Sequence, residues 1–210
     1  MPSVIFYAYR DGLYVNLTNR CPTACVFCIK SRWEWSYRGQ DLLLRSEPEL
    51  PEILALLDER LQREPRELVF CGYGEPTERL DAVLAVAARA RRLRPTLALR
   101  MNTVGLGSMI HGRDIVPDLR AALDAVSVSL NTADAAQWRT LMRPQSRFSQ
   151  KGFEAVCAFI SGCAAAGLRT TATALEREGV DLDAVAALAV SLGAGFRRRP
   201  LLENEEPAAP

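Results

Sequence analysis

The sequence predicts an α/β protein built on a parallel sheet, and three observations point to that class. Apolar, often β-branched runs alternate with helical patterns at even intervals along the 210 residues, which is the signature of βα units. Six such units are too few for a closed eight-unit barrel and enough for an open, partial one. Each apolar run ends in polar or small residues, so polar groups gather on one rim, where parallel α/β folds bind their ligands.

The strand pattern covers residues 13–17, 68–71, 97–101, 125–130, 169–175 and 195–199. A short strand over 4–9 precedes the first, and Arg10-Asp11-Gly12 between them reads as a hairpin turn. Helical spacing covers 49–62, 79–92, 116–123, 134–142, 152–165 and 182–192. Val83, Ala87 and Ala90 recur on one helical face, as do Val156, Ile160 and Cys163. Gly167 fits a helix C-cap. Residues 31–48 show no clear periodicity, and a loop of that length is usually functional or mobile. Residues 1–200 are expected to form one core domain, followed by an acidic, Pro/Ala-rich tail over 201–210 that reads as solvated and disordered.

Composition narrows the function classes. The net charge of +1 carries no nucleic-acid footprint. No run of eighteen apolar residues is present to cross a membrane as a helix. The first residues lack a charged segment followed by a long apolar run, so no signal peptide is read and a cytoplasmic location is expected. In a reducing compartment the six cysteines read as free thiols or metal ligands rather than disulfides. Cys157 and Cys163 lie in an apolar helical pattern and read as core, whereas Cys71 ends an apolar strand and stays open.

Cys21-Pro22-Thr23-Ala24-Cys25-Val26-Phe27-Cys28 places three thiols in one short loop after the first parallel strand. Three thiolates that close can wrap three corners of a cubane cluster, leaving the fourth iron open to a chelating small molecule. A structural zinc site asks for four Cys or His ligands. The only histidine, His111, is distant in sequence, and the next cysteine is Cys71. Zinc with a remote fourth ligand is the competing metal reading, and three incidental thiols is the bland one.

This Cys-x3-Cys-x-aromatic-Cys run, with Phe27 in the aromatic slot, resembles that of the radical S-adenosylmethionine superfamily. The resemblance continues along the chain. Gly72-Tyr73-Gly74-Glu75-Pro76-Thr77 resembles the family's Gly-Gly-Glu-Pro motif after strand two, with Tyr73 in place of the first glycine. Asn102 and Thr103 after strand three, then Ser129 and Asn131 at strand four, match positions that hold the ribose. Residues 17–21 combined with 70–77 are most similar to radical proteins linked to TatD-family hydrolases.

The resemblance implies a partial (β/α)6 barrel and a [4Fe–4S] cluster on Cys21, Cys25 and Cys28. It also implies S-adenosyl-L-methionine held by Phe27, Gly72, Tyr73, Gly74, Glu75, Asn102, Ser129 and Asn131. A flavodoxin- or ferredoxin-type donor would supply one electron, S-adenosylmethionine would be cleaved, and the 5′-deoxyadenosyl radical would take hydrogen from a substrate. A functional link to a TatD-family hydrolase is implied as well. Chemistry agrees residue by residue. Glu75 and the carbonyls of 71–74 offer acceptors to the α-amino group. The glycines permit close backbone approach, and Asn102, Ser129 and Asn131 offer neutral donors and acceptors to ribose. Taken singly, Glu75 would be a surface carboxylate and the two asparagines turn residues. Gly72-x-Gly74 lacks the third glycine of a dinucleotide fingerprint, since Thr77 stands there.

The substrate half is less legible. Lys30, Arg32, Arg38, Arg113, Arg143 and the run Arg197-Arg198-Arg199 could face the rim and favour an anion. Surface arginines are common, and of the run only Arg197 and Arg199 share a strand face. Trp33, Trp35 and Tyr37 read either as a lid or as packing of the long loop, and His111 as a loop residue or a proton-transfer group. A small-molecule substrate is expected, although a protein partner closing the open side is compatible. The rival class is an iron–sulfur carrier or scaffold, which would need a fourth ligand such as Cys71 and no residues for S-adenosylmethionine. A zinc-stabilised binding module is the third reading.

Overall fold

A computed structural model describes residues 4–201; the expected tail beyond residue 201 lies outside the described residues. β1 (Phe6–Tyr9) and β2 (Gly12–Val15) form an antiparallel hairpin with Tyr7 opposite Tyr14. Arg10 turns it in the left-handed region at φ 52°. A short helix α1 (Ile29–Arg32) and a hairpin of β3 (Ser36–Tyr37) and β4 (Gln40–Asp41) follow. Then come α2 (Leu50–Leu61), β5 (Glu67–Phe70), a 3-10 turn (Pro76–Arg79), α3 (Leu80–Leu93) and β6 (Ala98–Thr103). The chain continues through α4 (Gly107–His111), α5 (Val116–Ala122), β7 (Ala125–Ser129), α6 (Ala135–Met142), α7 (Ser146–Ser149) and α8 (Gly152–Ala165). It closes with β8 (Arg169–Leu175), α9 (Leu182–Ser191) and β9 (Gly195–Arg199).

The main sheet runs β1-β2-β5-β6-β7-β8-β9. Every pair after the first is parallel, as six successive βα units require. This is the expected open, partial barrel with its N-terminal hairpin strand.

Register gives the sheet two chemically different faces. Leu13, Leu68 and Leu99 lie in register, and so do Val15, Phe70, Met101 and Val126. These residues face the helices and are buried with Leu57, Val83, Leu119, Ile160 and Val185 in one apolar core. The alternate residues face the inside of the barrel, because side chains along a strand point to opposite faces. There Asn102, Ser127 and Thr171 form one row, and Ser129, Thr173 and Arg197 the next. Strands buried on both faces would read apolar throughout; this inner wall is polar.

Helix ends follow local chemistry. The side chains of Asp134 and Asp181 cap α6 and α9 by accepting from backbone N–H groups. Gly167, at φ 75°, closes α8 as expected. No helix of the described residues is long and apolar enough to cross a membrane.

The long loop is the main departure from expectation. Residues 31–48, read as aperiodic, contain the end of α1 and the β3–β4 hairpin. His111 closes α4 rather than sitting in a loop. Elements of two to five residues are shorter than the period that would reveal them.

Candidate cofactor site

The cysteine loop crosses the mouth of the barrel at the C-terminal ends of its strands. The Glu75 N–H donates to the Arg20 carbonyl at 2.8 Å, which ties the residue before Cys21 to the turn after β5. On the far side, Ala24 N donates to Met142 O at 3.1 Å and Val26 N to Leu141 O at 2.9 Å. Gln145 N donates to Pro22 O at 2.9 Å, and Thr23 pairs with Pro144 as an isolated bridge. Residues remote in sequence thus pin both flanks of an eight-residue run.

Cys21, Cys25 and Cys28 are each half-buried and free. The Thr23 hydroxyl stands between two of them, 3.4 Å from the sulfurs of Cys21 and Cys25. Burial raises the Cys21 thiol above its ordinary pKa and pushes Cys25 up to about 12, with Cys21 and Cys28 adding to the latter. Among the described residues no group of three or more His, Cys, Asp or Glu is gathered closely enough for a single metal ion. A cubane asks for a different arrangement, three thiolates each on its own iron, and soft thiolate donors suit it. The donor set therefore fits a three-cysteine cluster. Cys71 lies after β5, where the Tyr7 hydroxyl donates to its carbonyl at 3.0 Å.

The turn after β5 is built by close packing. A Cβ at Gly72 would lie 2.1 Å from the Asn16 Oδ1, and one at Gly74 would lie 2.0 Å from the Thr18 carbonyl oxygen. Both glycines are thus required by the strand beside them, before any ligand is considered. Tyr73 is buried, points away from the turn and packs edge-on against Trp35 at 5.8 Å. Its hydroxyl donates to the Ser36 carbonyl. The residue that departs from the family motif therefore holds down the β3–β4 hairpin.

Glu75 is anchored inside the turn. Its carboxylate is buried and accepts four hydrogen bonds. Oε1 takes those of Thr77 N, Thr77 Oγ1 and Thr103 Oγ1 at 3.1, 2.7 and 2.7 Å, and Oε2 takes that of Val104 N at 2.7 Å. Burial raises its pKa against the lowering by these donors. These four bonds fix the carboxylate within the turn; three fall on Oε1 and one on Oε2, so Oε2 keeps acceptor capacity beside the carbonyls of 71–74. His111 braces the same turn, its Nε2 lying 2.7 Å from the Thr77 carbonyl. Its ring is thereby engaged in holding structure.

Asn131 is likewise engaged within the protein. It sits at φ 64°, where asparagine is favoured among non-glycine residues. Its Oδ1 accepts from Leu175 N at 3.3 Å, and its Nδ2 lies 3.3 Å from Met142 Sδ. The side chain is buried and stitches β7 to β8 and α6. Asn102 and Ser129, by contrast, stay half-buried on the inner wall. Asn102 accepts from Arg100 Nη1 at 2.6 Å through Oδ1 and keeps its Nδ2 for other partners. Phe27 is partly buried, with the Arg177 guanidinium 5.9 Å from its ring. Arg177 also lines a cavity of about 590 Å³ with Glu176, Glu178, Pro200 and Leu201 at the ends of β8 and β9.

The aromatic residues of the long loop pack against the barrel edge. Trp33 stacks on Tyr37 at 6.0 Å, and Tyr37 meets Tyr7 and Tyr9 of β1 at 6.2 and 5.8 Å. Asn16 and Asn19 hold the next stretch, donating to the carbonyls of Leu42 and Leu44 at 2.8 and 2.6 Å. Sequence reasoning missed Asn16. An asparagine set within the apolar run 13–17 was the available signal, and its full burial in the structure gives its amide hydrogen bonds to make.

A comparison with family models matches residues 15–185 to the Radical SAM superfamily. The chain belongs to the radical S-adenosylmethionine superfamily. That family's cofactors are a [4Fe–4S] cluster and S-adenosylmethionine, and its members are enzymes. Among curated proteins it is 33% identical over 200 residues to a "GTP 3',8-cyclase" of Mycobacterium sp. (strain KMS), covering 92% of this chain and 52% of that protein. It is 34% identical over 136 residues to the "GTP 3',8-cyclase" of Rhodococcus opacus (strain B4), covering 64% and 35%. The chain thus spans from about a third to half the length of these relatives. Solved structures of the same fold include the FeFe-hydrogenase maturase HydG from Carboxydothermus hydrogenoformans, with a TM-score of 0.64 at 15% identity, covering 95% of this chain and 46% of that one. Streptococcus suis SuiB bound to S-adenosylmethionine has a TM-score of 0.63 at 14% identity, covering 90% and 38%. These likenesses carry the radical S-adenosylmethionine fold and family; the named relatives are cyclases rather than TatD-linked proteins.

Proposed function

We propose that this chain is a radical enzyme of the cytoplasm that holds a [4Fe–4S] cluster on Cys21, Cys25 and Cys28 and acts on a small anionic substrate. The observation that carries the reading is the pinning of the cysteine loop. Glu75 N and residues 141–145 lock it across a barrel mouth whose inner wall is polar. A carrier would need neither that wall nor the cradle beside the loop. When bound, the cluster supplies one-electron reductive cleavage of S-adenosylmethionine to methionine and a 5′-deoxyadenosyl radical, with an external flavodoxin- or ferredoxin-type donor providing the electron.

The chain's own residues divide the remaining tasks. Glu75, Thr77 and Thr103 fix the turn whose carbonyls accept from the α-amino group. Asn102 and Ser129 offer hydrogen bonds to ribose, and Phe27 an apolar face to adenine. Gly72 and Gly74 keep the turn against β2, and Tyr73 fastens the hairpin that shields the mouth from water. Asn131 positions the ends of β7 and β8.

The relatives are named as cyclases acting on GTP. We extend to this chain only the radical-generating part and the anionic character of the substrate. The TatD-linked reading rests on residues 17–21 and 70–77 and predicts action beside a hydrolase; co-purification with such a partner tests it.

The decisive experiment is anaerobic reconstitution followed by reductant and S-adenosylmethionine. The wild-type chain is expected to release 5′-deoxyadenosine, and Cys25→Ala to retain little iron or sulfide. A fully loaded wild-type cluster that forms no 5′-deoxyadenosine would end the proposal.

A further inference from the structure

The inner wall carries two cations that the cofactor reading leaves unused. Of the cations expected at the rim, Arg113 pairs with Asp118 at 2.6 Å. Lys30 lies over Trp35 at 5.4 Å, and Arg38 over Tyr9 at 5.3 Å. Arg198 turns outward to Asp183 on α9. Arg197 and Arg199 take the opposite face of β9, and neither guanidinium has a hydrogen bond or ion pair among the described residues. Their Cα atoms are about 7 Å apart, the spacing of same-face neighbours on a strand.

Their surroundings are concave. Arg199 is open to water, yet enough protein surrounds it for burial to hold its pKa below the ordinary arginine value, with repulsion from Arg197 adding to the effect. Cys71 and Tyr37 lie near enough to act on the charge of the same guanidinium. Ser127 and Thr171 lie lower on the same wall, in register with one another. Their hydroxyls have no hydrogen-bond partner among the described residues. Deeper still, Arg100 is neutralised by Glu67 at 2.9 and 3.1 Å. At the mouth end of β8 and β9, Arg197 and Arg199 are the inward strand cations without an ion pair among the described residues.

We propose that Arg197 and Arg199 form a substrate subsite for a phosphate-bearing small molecule, with Ser127 and Thr171 supplying neutral hydrogen bonds beneath it. A lone carboxylate is satisfied by one guanidinium fork. Two adjacent forks without a counter-charge match the greater charge and oxygen count of a phosphate or pyrophosphate group. The assignment rests on the barrel interior being the substrate side of the radical site proposed above.

Inorganic pyrophosphate is the probe, titrated calorimetrically at low salt into the reconstituted full chain. Arg197→Gln and Arg199→Gln are each expected to weaken its binding by about tenfold or more, the size expected for a charge-assisted hydrogen bond. Arg198→Gln should leave it within about twofold of wild type, as expected of an exposed outward pair, and tricarballylate should bind more weakly than pyrophosphate. Equal losses in all three variants, no effect of Arg197→Gln and Arg199→Gln, or tighter binding of tricarballylate would overturn the subsite. If the glutamine variants unfold, phenylglyoxal labelling of the wild type decides. Pyrophosphate should protect Arg197 and Arg199, and absence of protection counts against the proposal. Because binding is read without turnover, a chain that binds pyrophosphate this way but never cleaves S-adenosylmethionine would remove the radical assignment alone.

Discussion

Glu75 shows how a motif residue can hold a turn together from inside it. Four donors converge on one buried carboxylate, so Glu75→Gln places an amide N–H₂ among groups that can only donate to it or must reorient. We expect a loss of about 3 kcal/mol in unfolding free energy, in the range for losing charged hydrogen bonds and stranding buried donors. Chemical denaturation of both proteins measures it, and a loss under about 1 kcal/mol would mean that the donors find other partners. At the same scale, the proposed cluster ligands were legible because three cysteines in eight residues are conspicuous. The inward turn of Glu75 and Asn131 was not. Nothing in a sequence says which way a side chain points when both its backbone neighbours and a ligand could use it.

Segments between the helices and strands depend on a few charged ties. Glu47 receives Arg20 Nε at 2.7 Å and also accepts from Thr18, which fixes the stretch before α2 to the residue preceding Cys21. Burial pushes its carboxyl up, but the hydrogen bonds from Arg20 and Thr18 and the nearby arginine charge outweigh that and hold its pKa below the ordinary value of 4.5. A lowered folded pKa contributes stability that is present above the unfolded value and lost as the pH falls through the folded one. The melting-temperature difference between wild type and Glu47→Gln should therefore be full at neutral pH and shrink below about pH 4.5. A difference independent of pH would show that the tie acts through shape rather than charge. Long elements were readable at this scale. The expected strands over 169–175 and 195–199 and the helix over 152–165 coincide with β8, β9 and α8. The β3–β4 hairpin was hidden because its order comes from Tyr73, Tyr7 and Asn16, which lie far from it in sequence.

The molecule as a whole keeps its stability on one side of the sheet. Leu99 is fully buried against the helices, and Leu99→Ala should cost about 2–5 kcal/mol, as core truncations do. Thr171 is on the inner wall with its hydroxyl unengaged, and Thr171→Ala should shift stability by no more than about 0.5 kcal/mol. Denaturant midpoints of the two variants compare the faces directly, and similar losses would refute the division. The alternation of apolar runs with helical patterns was visible along the chain, and it gave the fold class. Which alternate face was the wall of a cup required the register of seven strands, which no local pattern carries.

That division bears on how such a protein changes over generations. Replacements along Ser127, Thr171, Arg197 and Arg199 leave the apolar layer that holds the chain together intact, so a lineage could sample new substrates there without first acquiring compensating mutations elsewhere. Gly72 and Gly74 have no such latitude, because even a single methyl group would collide with the neighbouring strand. Descendants of this chain would then be expected to keep the cradle for the cofactor while their inner walls diverge.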